Sequence, residues 1–405
     1  MTNAIVIGGG IAGCSTAYAL AKRGVIVTLL ERHAEIAQEA SGNPLAMLYP
    51  KLSIKPSLQN MITMLGFHFT LALLKKLDNS ASFFNACGQI QLAFNAAEKA
   101  KHEALSQEEY FHKNQWFVRF SDCDEVSEIA GISLKTAGIF LPQAGWVNPR
   151  LLCAALISHP LIKLETTSNV LVIEQNKNGW QVRIKDGTME AENIVICNAN
   201  DVKQFGFCDS AQITPVRGQL DFFTPNIASK NLKTIICSDH YLSPAVAGLH
   251  SIGTTYSPNN LKAEISAADT QSNLTALNKI SPEIMREIDT KDVSSRAAFR
   301  SQTLDYRPLA GQLLDEEKLR KNPPRYNANP ADLPWLAGLY VNAGHGSKGM
   351  ITAPICGELI AQLITKSHVI KNALPIDAKL ASHMNPNRFL LRELGLKQLA
   401  ASLLK

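Results

Sequence analysis

The 405-residue sequence predicts an α/β fold in which a parallel-sheet domain, built from both chain ends, is interleaved with an antiparallel-sheet domain. Three observations predict this fold. A strand, a glycine-rich turn, a helix and a second strand follow one another at the N-terminus. Near the C-terminus a buried strand is again followed by a glycine-rich turn and a helix. Between them, short polar strands separated by turn signals are typical of antiparallel sheets.

The N-terminal elements have a fixed order. A β-branched strand, Ala4–Ile7, leads into Gly8–Gly13, which matches the pattern GxGxxG. A helix over Cys14–Arg23 and a strand over Val25–Leu30 follow, and the strand ends at Glu31. A GxGxxG turn between a strand and a helix, with an acid at the end of the next strand, predicts a Rossmann-like dinucleotide-binding site.

Each part of this turn has a physical role. Gly8 permits the tight turn, Gly10 lets the backbone approach a pyrophosphate, and Gly13 lets the helix pack against the sheet. Glu31, 18 residues after Gly13, can accept hydrogen bonds from a ribose and would repel a 2′-phosphate. The cofactor-binding residues predicted here are Gly8, Gly10, Ile11, Ala12, Gly13, Glu31 and Arg32.

The rest of the chain alternates strand and helix signals. Pro149 predicts a helix start, and Asn178-Gly179 predicts a hairpin turn. We predict helices over 58–78, 149–157, 269–278 and 349–365, strands over 89–92, 117–120, 170–174, 181–184, 194–197, 218–223, 251–255 and 339–344, and an exposed loop over 318–330.

The second glycine-rich turn, Gly344–Gly349, favours FAD over NAD. Reduction of a flavin places negative charge on its ring, which a helix N-terminus stabilises, whereas nicotinamide has no such need. The further cofactor-binding residues predicted are Ser41, Gly42, Asn43, Gly344, His345, Gly346, Ser347, Lys348 and Gly349.

Composition excludes several classes of protein. The chain is 46% hydrophobic and 19% charged, which rules out a disordered chain. Eight scattered cysteines contain no CxxC pair, so we predict no metal site and a reducing, cytoplasmic location. The uncharged segment Thr2–Ala21 holds three consecutive glycines and has no preceding positive charge, so we predict neither a signal peptide nor a membrane span.

The C-terminal segment from Lys366 carries the whole formal net charge of +5. Such a segment is either a solvated helical face or a contact for a polyanion. Its basic residues, opposed only by Asp377 and Glu393, are Lys366, Lys371, Lys379, Arg388, Arg392, Lys397 and Lys405.

These motifs together resemble the D-amino acid oxidase and glycine oxidase family of FAD-dependent amine oxidases. The shared segments are the N-terminal turn, Gly145–Pro149, the strand ending at Cys197-Asn198, and Gly344–Gly349. The resemblance implies a Rossmann-like FAD-binding domain of the D-amino acid oxidase type, interleaved with an antiparallel-sheet substrate domain. The FAD-binding domain would comprise residues 1–82, 145–212 and 301–405, and the substrate domain residues 83–144 and 213–300.

More specific segments are similar to the oxidoreductase half of the MnmC-type bifunctional tRNA-modifying enzymes. These segments are Ser41–Pro44, Leu48–Ser53, Pro215–Gln219, Gly344–Gly349 with Ala353-Pro354, and Met384–Arg388. The resemblance implies oxidative removal of the carboxymethyl group from 5-carboxymethylaminomethyl-(2-thio)uridine at tRNA position 34, giving 5-aminomethyl-(2-thio)uridine and glyoxylate. We expect this chain to lack the methyltransferase half, so a separate SAM-dependent methyltransferase is a predicted partner beside tRNA.

The substrate carboxylate calls for an arginine, whose planar fork binds both oxygens. Arg300 lies where glycine oxidase-like enzymes place this clamp, and Arg296 and Arg307 are its rivals. Lys348 is a predicted catalytic residue that pairs with the substrate or the reduced flavin, or else a solvated lysine. Tyr49 and Lys51 are predicted to line the ring face, with a structural role as the alternative for Lys51. His345 is either a polar contact of the ring or structural.

Two other functions remain open at this stage. One is a free amino acid oxidase acting on glycine, sarcosine or D-amino acids. The other is an inactive FAD-containing subunit that supports a methyltransferase. For the tRNA hypothesis, we expect Arg388, Arg392 and Lys397 to contact phosphates.

Overall fold

A computed structural model describes residues 2–55, 57–77, 83–109, 113–258, 260–366 and 378–402. Lys371, Asp377 and Lys405 of the basic segment lie outside the described residues. The described strands are β1 (Asn3–Ile7), β2 (Ile26–Leu30), β3 (Ala46–Leu48), β4 (Phe84–Asn85), β5 (Gln89–Leu92), β6 (Arg119–Ser121), β7 (Gly138–Leu141), β8 (Gly145–Val147), β9 (Ile162–Glu165), β10 (Val170–Asn176), β11 (Gly179–Ile184), β12 (Gly187–Ala191), β13 (Asn193–Ile196), β14 (Ile213–Phe223), β15 (Ile235–Cys237), β16 (Tyr241–Leu242), β17 (His250–Gly253), β18 (Ser294–Thr303), β19 (Leu309–Leu314) and β20 (Trp335–Ala343).

The helices lie mostly between the strands. They are α1 (Ile11–Ala21), α2 (Leu58–Leu77), α3 (Ala96–Ser106), α4 (Cys123–Ala130), α5 (Pro149–Ile157), α6 (Ala267–Ile280), α7 (Pro282–Arg286), α8 (Glu316–Lys321), α9 (Gly349–Thr365), α10 (Ala378–Met384), α11 (Arg388–Glu393) and α12 (Lys397–Ser402). None of the helices in the described ranges is long and apolar enough to cross a bilayer.

A six-stranded sheet joins the two ends of the chain. Its order is β19-β20-β13-β1-β2-β9, and all neighbours are parallel except β19 and β20. The central strand β1 is almost wholly apolar and buried, as expected for a parallel strand covered on both faces. The predicted α/β fold with a Rossmann-like domain is therefore confirmed.

Helices α1 and α9 pack closely on this sheet. A Cβ atom at Gly357 of α9 would lie 2.9 Å from the backbone nitrogen of Thr16, so the approach of the two helices requires a glycine. Beside this contact the guanidinium of Arg23 binds the carboxylate of Glu358 through two nitrogens, at 2.6 and 3.0 Å. The two glycine-turn helices are thus fixed against each other.

An eight-stranded mixed sheet forms the second layer, in the order β18-β14-β17-β16-β15-β5-β7-β6. Its longest pair is β14 with β18, which run antiparallel from Ile213–Thr303 to Phe222–Ser294. The predicted hairpin at Asn178-Gly179 is confirmed, and β10, β11 and β12 form a separate antiparallel sheet. Strand β18 runs across the predicted boundary at residues 300 and 301, and the division into domains stays a prediction.

Several short helices depart from the sequence-based expectations, and three of them begin in the same way. Helices α3 and α4 lie where no helix was predicted, and α8 begins two residues before the loop predicted over 318–330 and occupies its start. Each has a polar side chain that caps its first turn: Asn95, Asp122 and Asp315 accept a hydrogen bond from the backbone three residues on. These caps help to start helices that are only 6 to 11 residues long and rich in charged residues.

The prediction that Arg388 contacts tRNA phosphates is wrong. Arg388 is 1% exposed, and it binds both carboxylate oxygens of Asp305, at 2.8 and 3.0 Å. It also donates to the carbonyl oxygens of Arg307, Pro308 and Asn385. Arg388 therefore holds the C-terminal helices to the turn after β18, and it is not available to an external polyanion.

Candidate active site

Backbone atoms pack closely against Gly8 and Gly13 of the first glycine turn. Gly8 has a positive φ of 109°, and a Cβ there would lie 2.7 Å from the carbonyl oxygen of Cys197. A Cβ at Gly13 would overlap the carbonyl oxygen of Gly8. Glycine is therefore required at both positions, and the start of α1 lies directly against the ends of β1 and β13.

Glu31 is a buried carboxylate at the end of β2, with 6% exposure. Its Oε2 accepts a hydrogen bond from the N–H of Gly9 at 2.6 Å, and its Oε1 accepts one from the N–H of His33 at 2.8 Å. The two amides fix the carboxylate beside the glycine turn. Each oxygen keeps a second lone pair with which it can accept from a hydroxyl group.

The N-terminus of α1 is held by the loop over residues 38–43. The Oγ of Ser41 accepts from the N–H of Ile11 at 3.0 Å, while the first-turn amides of Ala12 and Gly13 have no acceptor within the helix itself. Arg296 fixes the loop from β18: it donates to the carbonyl oxygen of Gln38 at 2.9 Å and to the side chain of Asn43.

Close packing explains the glycine at position 42, because a Cβ there would lie 2.7 Å from the backbone carbonyl oxygen of Ala37. Arg32 lies farther out, half-exposed, and pairs with Glu39 and Asp201. A cavity opens at this edge of the sheet, lined by residues 8–10, 31–33, 37–41, 168–170, 197–199, 204–205 and 299.

The second glycine turn adjoins the strand that carries Arg300. Gly344 and Gly346 have positive φ angles of 74° and 55°, and His345 forms a β-bridge with Gln302. The Nδ1 of His345 lies 2.9 Å from Oγ1 of Thr352, and burial lowers its pKa to about 4, so the ring is neutral at pH 7. Ser347 is exposed, and Gly349 begins α9.

These residues fit FAD. A cavity lies against Gly8–Gly10, the amides of α1 can bind phosphates, and the fixed carboxylate of Glu31 can bind a ribose. The start of α9 gives the second positive helix end that the sequence predicts near the flavin.

A cluster of polar side chains follows the second turn. The Nζ of Lys348 lies 3.9 Å from the ring centroid of Tyr49. Tyr241 of β16 lies within electrostatic range of both Tyr49 and Arg300, and burial raises the pKa of its hydroxyl well above the usual value. The structure thus brings the predicted residues Tyr49, Lys348 and Arg300 to one region. It adds Tyr241, which no sequence motif marks.

Arg300 is partly buried, and burial lowers the pKa of its guanidinium. It donates to Oγ1 of Thr254 at 2.7 Å and to the carbonyl oxygen of Thr255 at 3.3 Å, both neutral acceptors. Within the described ranges no carboxylate lies within 4 Å of Arg300, although other buried arginines have one.

The rival arginines have other partners. Arg296 binds the loop at residues 38–43, and Arg307 pairs with Asp305 at 2.5 Å. Lys51 is exposed, two residues beyond Tyr49, and its backbone carbonyl accepts from Asn60 at 3.1 Å. In the part of the chain that the structure describes, no three His, Cys, Asp or Glu residues are grouped so that they could hold a metal ion.

Comparison with known protein families decides between the cofactors. A family model described as FAD dependent oxidoreductase matches residues 3–363. The chain belongs to this family. Its cofactor is therefore FAD, and the predicted enzyme class, an FAD-dependent oxidoreductase, is confirmed.

Curated relatives in the FAD-dependent oxidoreductase family match nearly the whole chain. A tRNA 5-methylaminomethyl-2-thiouridine biosynthesis bifunctional protein MnmC from Methylobacillus flagellatus is 37% identical over 402 residues, covering 99% of this chain and 61% of the relative. The protein of the same name from Pseudomonas syringae pv. syringae is 36% identical over 405 residues, covering 96% and 59%. The chain thus spans about 60% of the length of these relatives.

Solved structures share the fold. Glycine oxidase from Geobacillus kaustophilus matches with a TM-score of 0.73 and 22% identity, covering 91% of this chain and 96% of that one. L-proline dehydrogenase from P. horikoshii matches with a TM-score of 0.73 and 20% identity, covering 97% and 98%. At this identity the likeness concerns the fold, and it confirms the predicted D-amino acid oxidase-type architecture.

Proposed function

We propose that this FAD-dependent oxidoreductase removes the carboxymethyl group from 5-carboxymethylaminomethyl-(2-thio)uridine at the wobble position of tRNA. The products would be 5-aminomethyl-(2-thio)uridine and glyoxylate. The identity of 35–37% with MnmC proteins over almost the whole chain supports tRNA as the substrate. The observation that carries the reaction type is Arg300, a partly buried cation whose acceptors in the described part of the chain are neutral.

Arg300 suits a substrate that carries a carboxylate. A guanidinium removed from water without a counter-ion gains most when an anion completes its hydrogen bonds. The substrate group is a secondary amine with a CH2–COO⁻ arm, and the two oxygens match the two nitrogens of the fork. Tyr241, close to Arg300, offers a hydroxyl that stays protonated and can donate to the same carboxylate.

The other residues of the cluster would orient the reacting carbon. The ammonium group of Lys348 lies over the ring of Tyr49, at the second glycine turn. There it would stabilise the negative charge that a bound flavin acquires on reduction. Neutral His345 adds no charge there. Tyr49 and Lys51 would line the approach to the site, and the roles of all these residues remain proposals.

The balanced reaction is an oxidation followed by hydrolysis. FAD, when bound, supplies the two-electron acceptor. Loss of a hydride from the α-CH2 and of the N–H proton converts the secondary amine to an imine. Water then adds to the imine carbon, and the C–N bond breaks to release the primary amine and glyoxylate. The chain would need only to fix the carboxylate and to receive the amine unprotonated.

The names of the relatives contain a methylaminomethyl group, which has one methyl more than the proposed product. A methyl transfer to the primary amine must therefore follow the oxidation if both belong to one biosynthesis. A SAM-dependent methyltransferase as partner, like the cytoplasmic location, stays a prediction.

Anaerobic flavin bleaching tests the proposal. The FAD-loaded protein is mixed with tRNA carrying the carboxymethylaminomethyl group, and separately with glycine, sarcosine and unmodified tRNA. We expect bleaching and one equivalent of glyoxylate with the modified tRNA only. Bleaching with glycine or sarcosine but not with the modified tRNA would replace the proposal by a free amino acid oxidase. No bleaching with any of them would support an inactive subunit.

A further inference from the structure

Three exposed segments of the chain lie beside the candidate site. We call Lys51, Ile54, Lys55, Tyr256, Leu304 and Tyr306 the site rim. All six side chains are exposed, and they come from three segments that are far apart in sequence.

Hydrogen bonds join these segments at the start of α2 and along β18. Asn60 donates to the carbonyl oxygen of Lys51 at 3.1 Å, and the neighbouring Gln59 donates to the carbonyl oxygen of Tyr306 at 3.4 Å. Gln302 donates to the hydroxyl of Tyr256 at 2.7 Å, two residues along β18 from Arg300. The rim is therefore connected to the clamp residue on one side and to the Tyr49 segment on the other.

Large apolar and aromatic groups project from the rim into solvent. Tyr306 is 59% exposed, Tyr256 51% and Leu304 71%. Tyr306 is held in the left-handed conformation, with φ 58°, at a position where glycine would be less strained. Exposed apolar groups gathered at the mouth of a site are typical of a binding surface.

The segments around the candidate site carry basic residues and no acidic ones. Residues 40–77, 240–263, 294–304 and 344–357 contain no aspartate or glutamate, although together they include Lys51, Lys55, Lys262, Arg296, Arg300 and Lys348. Asp305, the nearest acid in sequence to Tyr306, is bound by Arg388 and Arg307. A polyanion that approaches the site therefore meets only positive charge from these segments.

Aromatic rings beside lysines match single-stranded RNA, because bases stack on the rings while lysines bind phosphates. We propose that the site rim binds the anticodon loop: Tyr256 and Tyr306 stack on the bases that flank the wobble nucleotide, and Lys51 and Lys55 bind the adjacent phosphates. The wobble base itself would leave the stack to reach Arg300. This inference rests on the proposed function and assigns RNA contact to the rim instead of the C-terminal segment.

The binding test uses a fluorescein-labelled anticodon stem-loop RNA with unmodified uridine at position 34, which requires no redox step. For Tyr256→Ala/Tyr306→Ala we expect Kd to rise about tenfold or more, because each stacked base is lost. Tyr256→Phe/Tyr306→Phe keeps the rings and should bind as the wild type does. Tyr326→Ala, which removes another exposed tyrosine, is the control and should leave Kd unchanged.

The phosphate contacts are read from the salt dependence of Kd. In Lys51→Ala/Lys55→Ala the slope of log Kd against log salt should fall by about 1.4, since each single-strand phosphate contributes about 0.7. Lys177→Ala/Lys185→Ala removes the same charge from the exposed turns of β10–β12 and should keep the wild-type slope.

Two results would contradict RNA binding by the site rim. One is a wild-type Kd in the double tyrosine-to-alanine variant with its flavin content intact. The other is an equal rise of Kd in the alanine and the phenylalanine variants. Failure of modified tRNA to bleach the flavin overturns the proposed function instead, so the two failures are distinguishable.

Discussion

Arg300 on β18 and Arg388 at the start of α11 are chemically alike, and burial lowers the pKa of both guanidinium groups. Their partners differ. Arg388 binds both oxygens of Asp305 and four backbone carbonyls. Among the described residues, the acceptors of Arg300 are Thr254 and Thr255, which are neutral. The difference separates a structural arginine, whose hydrogen bonds are complete within the fold, from one that can still bind an anion.

The largest effect is expected for Arg388→Ala. Loss of one partner of a buried ion pair typically costs about 3–5 kcal/mol of the free energy of unfolding, because the remaining charge is left uncompensated. We expect a marked drop in the urea midpoint, with FAD still bound by the folded fraction. An unchanged midpoint would mean that Arg388 does not anchor the C-terminal helices.

Arg300→Ala should give the opposite pattern. Truncating a charged group that binds substrate through a buried pair costs about 2–5 kcal/mol, so we expect kcat/KM to fall about 100-fold. The urea midpoint should not decrease, because no ion pair is lost. Arg300→Lys keeps the charge but not the fork, and it should recover only part of the activity. Wild-type kcat/KM in Arg300→Ala would remove it as the clamp.

The acid dependence of stability should include a contribution from the Arg388 side and none from Arg300, because Asp305 pairs with Arg388. Although burial would raise the pKa of Asp305, Arg388 and then Arg307 hold it well below its usual range. Its stabilising contribution is fully present above the unfolded pKa of about 3.9 and is lost as pH falls further toward the folded pKa.

Urea unfolding between pH 7 and pH 3 measures this contribution. The wild type should lose stability below about pH 4, and Asp305→Asn should lose less over the same interval. Identical pH slopes would show that this carboxylate does not contribute.

The smallest effect is expected for Arg392→Ala. Arg392 is 41% exposed and lies 3.4 Å from Asp305, which Arg388 already binds. An exposed pair of this kind is worth at most about 1 kcal/mol and is weakened by salt. A drop in the urea midpoint as large as that of Arg388→Ala would contradict the distinction between enclosed and exposed arginines.

Local patterns predicted most of the fold. The order of β1, α1 and β2, the hairpin at Asn178-Gly179 and the helix over Gly349–Thr365 all follow from glycine, proline and apolar periodicity. Helices α3 and α4 were missed although each carries a capping box, Asn95 with Glu98 and Asp122 with Glu125. These helices have only 11 and 8 residues, so their apolar pattern was too short to be recognised.

The sequence predicted those site residues that belong to one continuous segment of the chain. Gly8, Gly13 and Glu31 lie in one strand–turn–helix–strand unit, so their spacing gives their geometry. Tyr241 was missed because it comes to Arg300 from another strand, with no motif around it. The burial of Arg388 could not be predicted either, because its partner Asp305 lies 83 residues earlier in the sequence. A count of charges does not show which residues form an ion pair.

The buried pair of Arg23 and Glu358 joins residues 335 positions apart. Strand β1 likewise depends on β13 and, beyond it, on β20, so the sheet that supports the glycine turn requires nearly the whole polypeptide. A chain still attached to the ribosome without α9 lacks this support, and contacts of such long range form slowly. We therefore expect FAD to be acquired only after synthesis of residue 365, which makes flavin loading a late step in maturation of the enzyme.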